Sequence, residues 1–273
     1  MNILSVITRD ILKKVYHKRK VDSHKYQFGS LLVVGGSRVY HGSPIFNAMG
    51  AYRSGVDLVT VAAPERSANL IGAYSPDIIT HPLKGDFINE NHVKEIIEIS
   101  KSCDAMVIGG GIGKGEQTKK AVRKILSSFK KPVVVDADGI RAITPKDIKS
   151  NFVLKPHSDE FKYLSSKNAT KSSVEKFAKE NKCVVLLSAS KDIISDGKIT
   201  MENWTGNPNM TVGGTGDILS GICGSLLAQG INQMDAACAA AYINGRAGDL
   251  AAKTKRQALM ASDVLNYIEK VIL

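Results

Sequence analysis

Short, nearly unbroken aliphatic runs recur along this chain, each followed by a stretch of helical character, and no other feature limits its possible folds so strongly. The runs are SLLVVGG (30–36), VDLVTVAA (56–63), DAMVIGGG (104–111), KPVVVDADG (131–139), NFVLKP (151–156) and CVVLLSAS (183–190). A strand without polar alternation has no solvated face, so it belongs in a parallel sheet covered on both sides by crossover helices. The fold class expected is therefore α/β, a three-layer α/β/α arrangement around a mainly parallel central sheet. DIISDGKITMEN (192–203) breaks the pattern, because Asp196-Gly197 separates two short runs. It predicts an antiparallel hairpin at the sheet edge. Helices are expected over 216–229 and over the Ala-rich segment 234–252, whose small residues suit a tightly packed interior position.

A chain of 273 residues that is 43% hydrophobic can bury one good core, and a single domain with its core over about 25–270 is the reading taken here. Cys103, Cys183, Cys223 and Cys238 lie far apart in apolar surroundings with no CxxC pairing, which fits a reducing, cytoplasmic setting. No segment combines a basic start, an apolar run and a cleavage site, and no eighteen apolar residues occur together, so neither export nor a membrane is expected. The net charge of +11 is concentrated partly in RDILKKVYHKRK (9–20) and KKAVRK (119–124). Aromatic residues make up only 6% and are scattered, which leaves no stacking platform for bases. The charge reads as a solvated basic face, and nucleic acid is not expected as a partner.

In a parallel sheet, ligands collect beyond the carboxyl ends of the strands. Those ends carry Gly35-Gly36-Ser37, the glycine run 109–113, Asp136-Ala137-Asp138-Gly139, Lys155-Pro156-His157 and Ser188-Ala189-Ser190-Lys191. Gly213-Gly214-Thr215-Gly216-Asp217 opens the helix expected at 216–229. A helix N-terminus presents unpaired N–H groups to an anion such as a phosphoryl group. Asp217 beside it can be a simple cap, worth about 1 kcal/mol, or a base that accepts the proton of an attacking hydroxyl. Capping requires no glycine run, so the base is the favoured reading, with Gly214 and Gly216 in the anion hole.

GGGIGKG (109–115) matches neither a Walker A loop nor a dinucleotide fingerprint. It is either bare backbone against which a flat ring or pyrophosphate can lie, or a mobile loop. Asp136 and Asp138 can hold Mg²⁺ through waters, or cap a helix and tether a loop. His157 is a substrate contact or a structural histidine, and Glu160 a candidate to orient a metal-bound water. Gly42-Ser43-Pro44 starts a helix after the first strand and offers a second amide site.

Taken in order, the first strand's Gly-Gly-Ser, YHGSPIFNAMGAYRSGVDLVTVAAPE, VIGGGIGKG, VVVDADGI, PHSDEF and GNPNMTVGGTGDILSGICGSLLAQG resemble the ADP/ATP-dependent NAD(P)H-hydrate dehydratases of the ribokinase-like superfamily. The resemblance covers roughly 25–261, and the last of these segments is the most specific. It implies a hydro-lyase that uses ADP or ATP to phosphorylate the hydroxyl of hydrated NADH or NADPH and then eliminates phosphate, a nicotinamide nucleotide repair activity. It also implies Mg²⁺, for which Asp136 and Glu160 are the candidate holders read from the residues above, and a homo-oligomer, with a tetramer favoured. Carried over by position, substrate contacts fall on Ser43, Gly111, Gly113, His157 and Asp217. Nucleotide contacts fall on Ser188, Ala189, Ser190, Lys191, Asp192 and Gly216, and catalysis on Asp217, Gly214 and Gly216.

The chain departs from its relatives at three places. Ser43 stands where they usually have Ala, Lys155-Pro156-His157-Ser158-Asp159-Glu160 where they have Thr-Pro-His-Pro-Gly-Glu, and Ser188-Ala189 where they commonly have Lys-Gly. Lys191, three residues on, offers a replacement charge. About two dozen residues precede Lys25, too few for the N-terminal epimerase domain that relatives often carry. A small-molecule kinase of the same superfamily and a nucleotide-binding protein without turnover are the alternative functions.

Overall fold

The computed structural model describes residues 5–273. Nine strands form one sheet: β1 (Ser30–Val34), β2 (Leu58–Pro64), β3 (Ile79–Leu83), β4 (Ala105–Ile108), β5 (Val133–Asp136), β6 (Phe152–Lys155), β7 (Val184–Leu187), β8 (Asp192–Ser195) and β9 (Thr200–Asn203), in the spatial order 3-2-1-4-5-6-7-8-9. β1 to β7 pair parallel, while β8 and β9 add an antiparallel hairpin at one edge. The expected architecture is the one observed, down to the turn at Gly197, whose φ of +81° is costly for any residue with a β-carbon.

The helices, in chain order, are α1 (Ile11–Val15), α2 (Gly42–Arg53), α3 (Glu65–Tyr74), α4 (Val93–Ser100), α5 (Glu116–Ser128), α6 (Asp138–Ala142), α7 (Ser158–Ser165), α8 (Lys171–Asn181), α9 (Thr215–Ala228), α10 (Gln233–Lys255), α11 (Ala261–Leu265) and α12 (Ile268–Ile272). Alternation along the strands divides the core in two. Leu31, Val33, Val107 and Val134 face a layer containing α2, α9 and α10, whereas Leu32, Val34, Met106 and Val135 face α4 to α8. Both faces are apolar because both are covered, which is why the strands read as continuous runs.

One strand, β3, carries no such signature. Its sequence ITHPL includes Pro82 and leaves Ile79 48% exposed, and it pairs only with β2 at the sheet's other edge. An edge strand needs neither two buried faces nor a complete set of donors, so the apolar-run criterion passes over it.

Two features of this architecture place the site. Strand order reverses between β1 and β4, so the chain leaves those two ends in opposite directions and opens a crevice there. α2 and α9 also pack almost backbone to backbone: a β-carbon on Gly50 would stand 2.8 Å from the Ile218 carbonyl oxygen, and one on Gly221 would stand 2.1 Å from that of Asn47. The first turns of both helices are thereby held side by side above the crevice. Among the described residues no helix is long and apolar enough to cross a membrane, and the four cysteines are buried and unpaired with one another.

Candidate active site

The loop that opens α9 is one that only glycine can make. Gly214, just before α9, has φ +103°, and a β-carbon there would lie 2.6 Å from the Phe46 ring. The Thr215 hydroxyl donates to the carbonyls of Met210 (3.0 Å) and Val212 (3.1 Å), which fixes the approach to the helix. Nothing stands within 4 Å of the β-carbon position of Gly213, so the loop's outer face is open. The first-turn N–H groups of α9 carry the helix's partial positive charge.

Asp217 lies in that first turn, and its carboxylate faces the neighbouring loop. A β-carbon on Gly110 would stand 2.9 Å from Asp217 Oδ1, 3.1 Å from Ser43 Cβ and 3.2 Å from Asn47 Oδ1. The buried Gly110 is thus packed closely against the acid, the Ser43 side chain and an amide oxygen. Burial, followed by the nearby Asp136 charge, pushes the Asp217 carboxyl up to about 6, against the opposing pull of Lys155 and the Ser43 hydroxyl. A carboxyl in that range is ionised at neutral pH yet basic enough to take a proton.

Behind it lies a buried ion pair that the motifs did not indicate. Lys155 Nζ is 2.8 Å from Asp136 Oδ1, with side-chain exposures of 9% and 2%. The Ser220 hydroxyl donates to Asp136 Oδ2 at 2.5 Å, and the Ala137 N–H donates to Oδ1 at 2.6 Å. Lys155 also donates to the Gly216 carbonyl at 3.3 Å, which ties β6 to the start of α9. Burial lowers the Lys155 pKa, but Asp136, with Asp217 and Glu160 adding to it, outweighs burial and raises it, so the side chain is an ammonium.

The assignment of Asp136 as a Mg²⁺ ligand is therefore corrected: both its oxygens are engaged by protein donors, and the Lys155 ammonium already balances its charge. Glu160 is likewise occupied. Its Oε2 accepts from the His157 N–H at 3.0 Å, and its Oε1 is 3.3 Å from His157 Nε2; burial raises its pKa against the pull of the His157 N–H, with the Asp136 charge adding to the rise and His157 and Lys155 opposing it. Among the described residues no group of three or more His, Cys, Asp or Glu is placed to hold a metal. A resident Mg²⁺ held by these side chains does not fit.

The glycine run is pinned. Gly109, Gly111 and Gly113 have φ of +133°, +68° and +83°, and the Gly113 N–H donates to Asp138 Oδ2 at 3.0 Å. Asp138 is the tether of this loop. Gly111 lies under Tyr40, whose Cβ would be 2.8 Å from a β-carbon at that position. His157 Nδ1 accepts from the Asp159 N–H at 3.1 Å, so its proton sits on Nε2, and the half-exposed ring stays at the crevice edge.

At the end of β7, Ser188 is bridged to His157, and its buried hydroxyl has no partner. Asp192 turns inward, accepting from the Ala189 N–H at 3.1 Å and from Asn203 Nδ2 at 3.0 Å. Burial pushes its carboxyl up to about 6. Lys191 Nζ sits 4.4 Å above the Trp204 ring, while Ser190 is at the exposed turn between β7 and β8.

Unsatisfied polar atoms gather at this same edge. His41 Nδ1, Asn47 Oδ1, Ser67 Oγ and Ser188 Oγ are buried without a partner and lie on a strand end or on the helical turns just beyond, while a fifth such atom among the described residues, Asn244 Oδ1, lies within α10. Buried polar groups are nearly always paired, so such a cluster marks a place where a ligand supplies partners. Cavity size points elsewhere: cavities of about 470 and 440 Å³ lie at the amino ends of the strands, beside Phe28 and Gly55 and beside Leu58. Those linings lack the acid, the anion hole and the glycine loop.

Lys155 and Asn47 are the residues that sequence reasoning missed. The signal for Lys155 was a charge inside NFVLKP, a run otherwise buried on both faces. For Asn47 it was an amide on the sheet-facing side of α2.

The mainly parallel sheet with its antiparallel edge hairpin gives the chain the α/β fold of a solved ribokinase-like superfamily protein of Enterococcus faecalis, with a TM-score of 0.88 at 23% identity and coverage of 98% of this chain and 94% of that one. More narrowly, the chain belongs to the NAD(P)H-hydrate dehydratase family (Carb_kinase), which matches residues 31–270. It is 36% identical over 276 residues to the ADP-dependent (S)-NAD(P)H-hydrate dehydratase of Cenarchaeum symbiosum, covering 98% of this chain and 96% of that one. It is 38% identical over 262 residues to the bifunctional NAD(P)H-hydrate repair enzyme Nnr of Pyrobaculum aerophilum, covering 93% of this chain and 52% of the relative. The chain thus spans about half the length of that relative and of several others like it. The ADP/ATP-dependent NAD(P)H-hydrate dehydratase of Bacillus subtilis shares the fold, with a TM-score of 0.84 at 23% identity and 100% coverage of both chains.

Proposed function

We propose that this chain dehydrates hydrated NADH or NADPH in a reaction driven by ADP or ATP. The observation that carries the reading is that the Asp217 carboxylate lies against the bare backbone of Gly110, with Oδ1 2.9 Å from the β-carbon position, while belonging to the first turn of α9 behind its glycine loop. One residue thereby faces both the substrate hydroxyl and the transferring phosphoryl group.

In this mechanism the hydrated ring lies against the bare backbone of Gly110 to Gly113, between Ser43 and His157. The nucleotide approaches from the end of β7, where the unpartnered Ser188 hydroxyl and the turn through Ala189, Ser190 and Lys191 face it. Asp217 accepts the hydroxyl proton as the oxygen attacks phosphorus, and the N–H groups at Gly214 to Asp217 stabilise the charge on the phosphoryl oxygens. Lys155 neutralises Asp136 so that one carboxylate, Asp217, is left to act. Loss of phosphate from the ring then restores the dihydronicotinamide. Buried free thiols support a reducing, cytoplasmic setting, and a homo-oligomer, tetramer favoured, completes the proposal.

The test is recovery of the near-ultraviolet absorbance of the dihydronicotinamide when the purified protein, with magnesium in the buffer, meets hydrated NADH or NADPH and either ADP or ATP. Recovery with one nucleotide names the donor. Formation of a stable phosphate ester without recovery would instead assign an ordinary kinase.

A further inference from the structure

Asn47 is 1% exposed and sits on α2, one helical turn beyond Ser43. Its Nδ2 donates to the main-chain carbonyl of Asp217 at 2.7 Å. A carbonyl can only accept, so this bond fixes which end of the amide points where, and the oxygen must face away from it. That oxygen is buried and has no partner. It lies 3.2 Å from the β-carbon position of Gly110, the same point that is 2.9 Å from Asp217 Oδ1. An acceptor without a donor therefore lies against the same face of Gly110 as the Asp217 carboxylate.

The function proposed above requires a donor to appear there. When the substrate oxygen bonds to phosphorus, the bond from phosphorus to the bridging oxygen breaks, its electron pair leaves with the nucleotide, and the hydroxyl proton passes to Asp217. Asp217 then carries an O–H in a largely buried setting, where the Ser43 hydroxyl beside it and the unpartnered Asn47 oxygen are the acceptors within its surroundings. Lys155 supplies only donors, and the oxygens of Asp136 are already engaged by Lys155, Ser220 and Ala137.

We propose that Asn47 is a positioning residue for Asp217: its amide nitrogen holds the Asp217 backbone, and its amide oxygen accepts the hydrogen bond of the proton that Asp217 takes from the substrate. This inference rests on the function proposed above for the origin of the proton, but the pairing of Asn47 with protonated Asp217 is testable without turnover. The charged groups facing Asp217 are Asp136 from β5 and Lys155 from β6, with Glu160 of α7 acting on Lys155, and none is changed in the variants.

The experiment is a ¹³C NMR titration of the Asp-labelled protein, with the Asp217 carboxyl assigned by its loss in Asp217→Asn, in wild type, Asn47→Leu and Asn47→Ala. Losing the acceptor destabilises the protonated carboxyl. The Asp217 midpoint should therefore fall by about one pH unit, the shift produced by one hydrogen bond of ordinary strength. In the dehydratase assay the acid limb of kcat should move the same way, and kcat should drop roughly 10-fold or more with KM little changed, as for a misplaced base. Asn47→Ala keeps the test open should the larger variant not fold. An unchanged Asp217 midpoint in a folded variant overturns the inference, and Asn47 is then a packing residue. Wild type without turnover overturns the parent function and leaves the titration to decide the role of Asn47.

Discussion

Lys155 Nζ stands 2.8 Å from Asp136 Oδ1, and this buried pair, with side chains 9% and 2% exposed, forms the floor of the site beneath the base. Two opposite charges taken out of water together gain little net stability, but removing one strands the other. Lys155→Met should therefore cost about 3–5 kcal/mol of folding stability in urea unfolding. Adding Asp136→Asn to that variant should return most of the loss, because no buried charge is then left alone. If the double variant were no more stable than the single one, the pair would not be the reason for the loss.

The base should show itself in the pH profile. Asp217 must be ionised to take a proton, and burial pushes its carboxyl up to about 6, so kcat for dehydration should rise as pH increases through about 6 and then level. Asp217→Asn should lower kcat by about 10²–10⁴ while calorimetry still detects nucleotide binding, since the anion hole is made of backbone. Wild-type turnover that is flat from pH 5 to 8 would separate Asp217 from the rate, on the usual reading of such profiles.

The same shift has a consequence for stability, with a definite sign. A carboxyl whose native pKa is raised keeps its proton in the folded state over a range where the unfolded chain has lost it. Here that window runs from 3.8 to about 6. The native state binds more protons there, so wild type loses stability as pH rises through the window. Asp217→Asn removes this penalty. It should be more stable than wild type at pH 7 by on the order of 2 kcal/mol, a difference that shrinks toward zero as pH falls to about 4. Thermal unfolding of both proteins across that range measures it, and an inactive variant that is also less stable at pH 7 would contradict the shift.

Much of this molecule was legible because its strands have no wet face. Runs such as Leu31 to Val34 state their two-sided burial directly, and the glycines at strand ends state where the backbone must come close to something. β3 was not legible, because an edge strand with Pro82 needs no such signature. Asp136 and Lys155 were each visible at strand ends, but their pairing depends on the register of β5 with β6, where Asp136 lies opposite Lys155. Parallel register across a crossover helix is not written in local sequence, so a carboxylate that reads as a metal ligand is a counterion in the fold. Asn47 was hidden for a related reason: its meaning comes from α9, 170 residues away in the chain.

Two glycines one residue apart make the sharpest contrast. A β-carbon on Gly109 would fall 1.9 Å from the Asp136 carbonyl oxygen, at a φ of +133°, so Gly109→Ala must displace backbone in the core and should cost more than about 4 kcal/mol or prevent folding. On Gly110 the β-carbon would meet Asp217 Oδ1 at 2.9 Å, Ser43 Cβ at 3.1 Å and Asn47 Oδ1 at 3.2 Å. Asp217 Oδ1 and Asn47 Oδ1 end side chains and can give by a few tenths of an ångström, Ser43 Cβ can move only with α2, and the backbone at Gly110 needs no left-handed conformation. Gly110→Ala should thus fold with a smaller loss of stability than Gly109→Ala, yet push Asp217, Ser43 and Asn47 out of place. Its KM for the hydrated dinucleotide should rise and its kcat fall, together by about 10²-fold in kcat/KM, the scale of an ångström's misplacement at a reacting centre. Unchanged kinetics in a folded Gly110→Ala protein would mean that the substrate does not use this face, and the reaction would have to be placed elsewhere along the glycine loop.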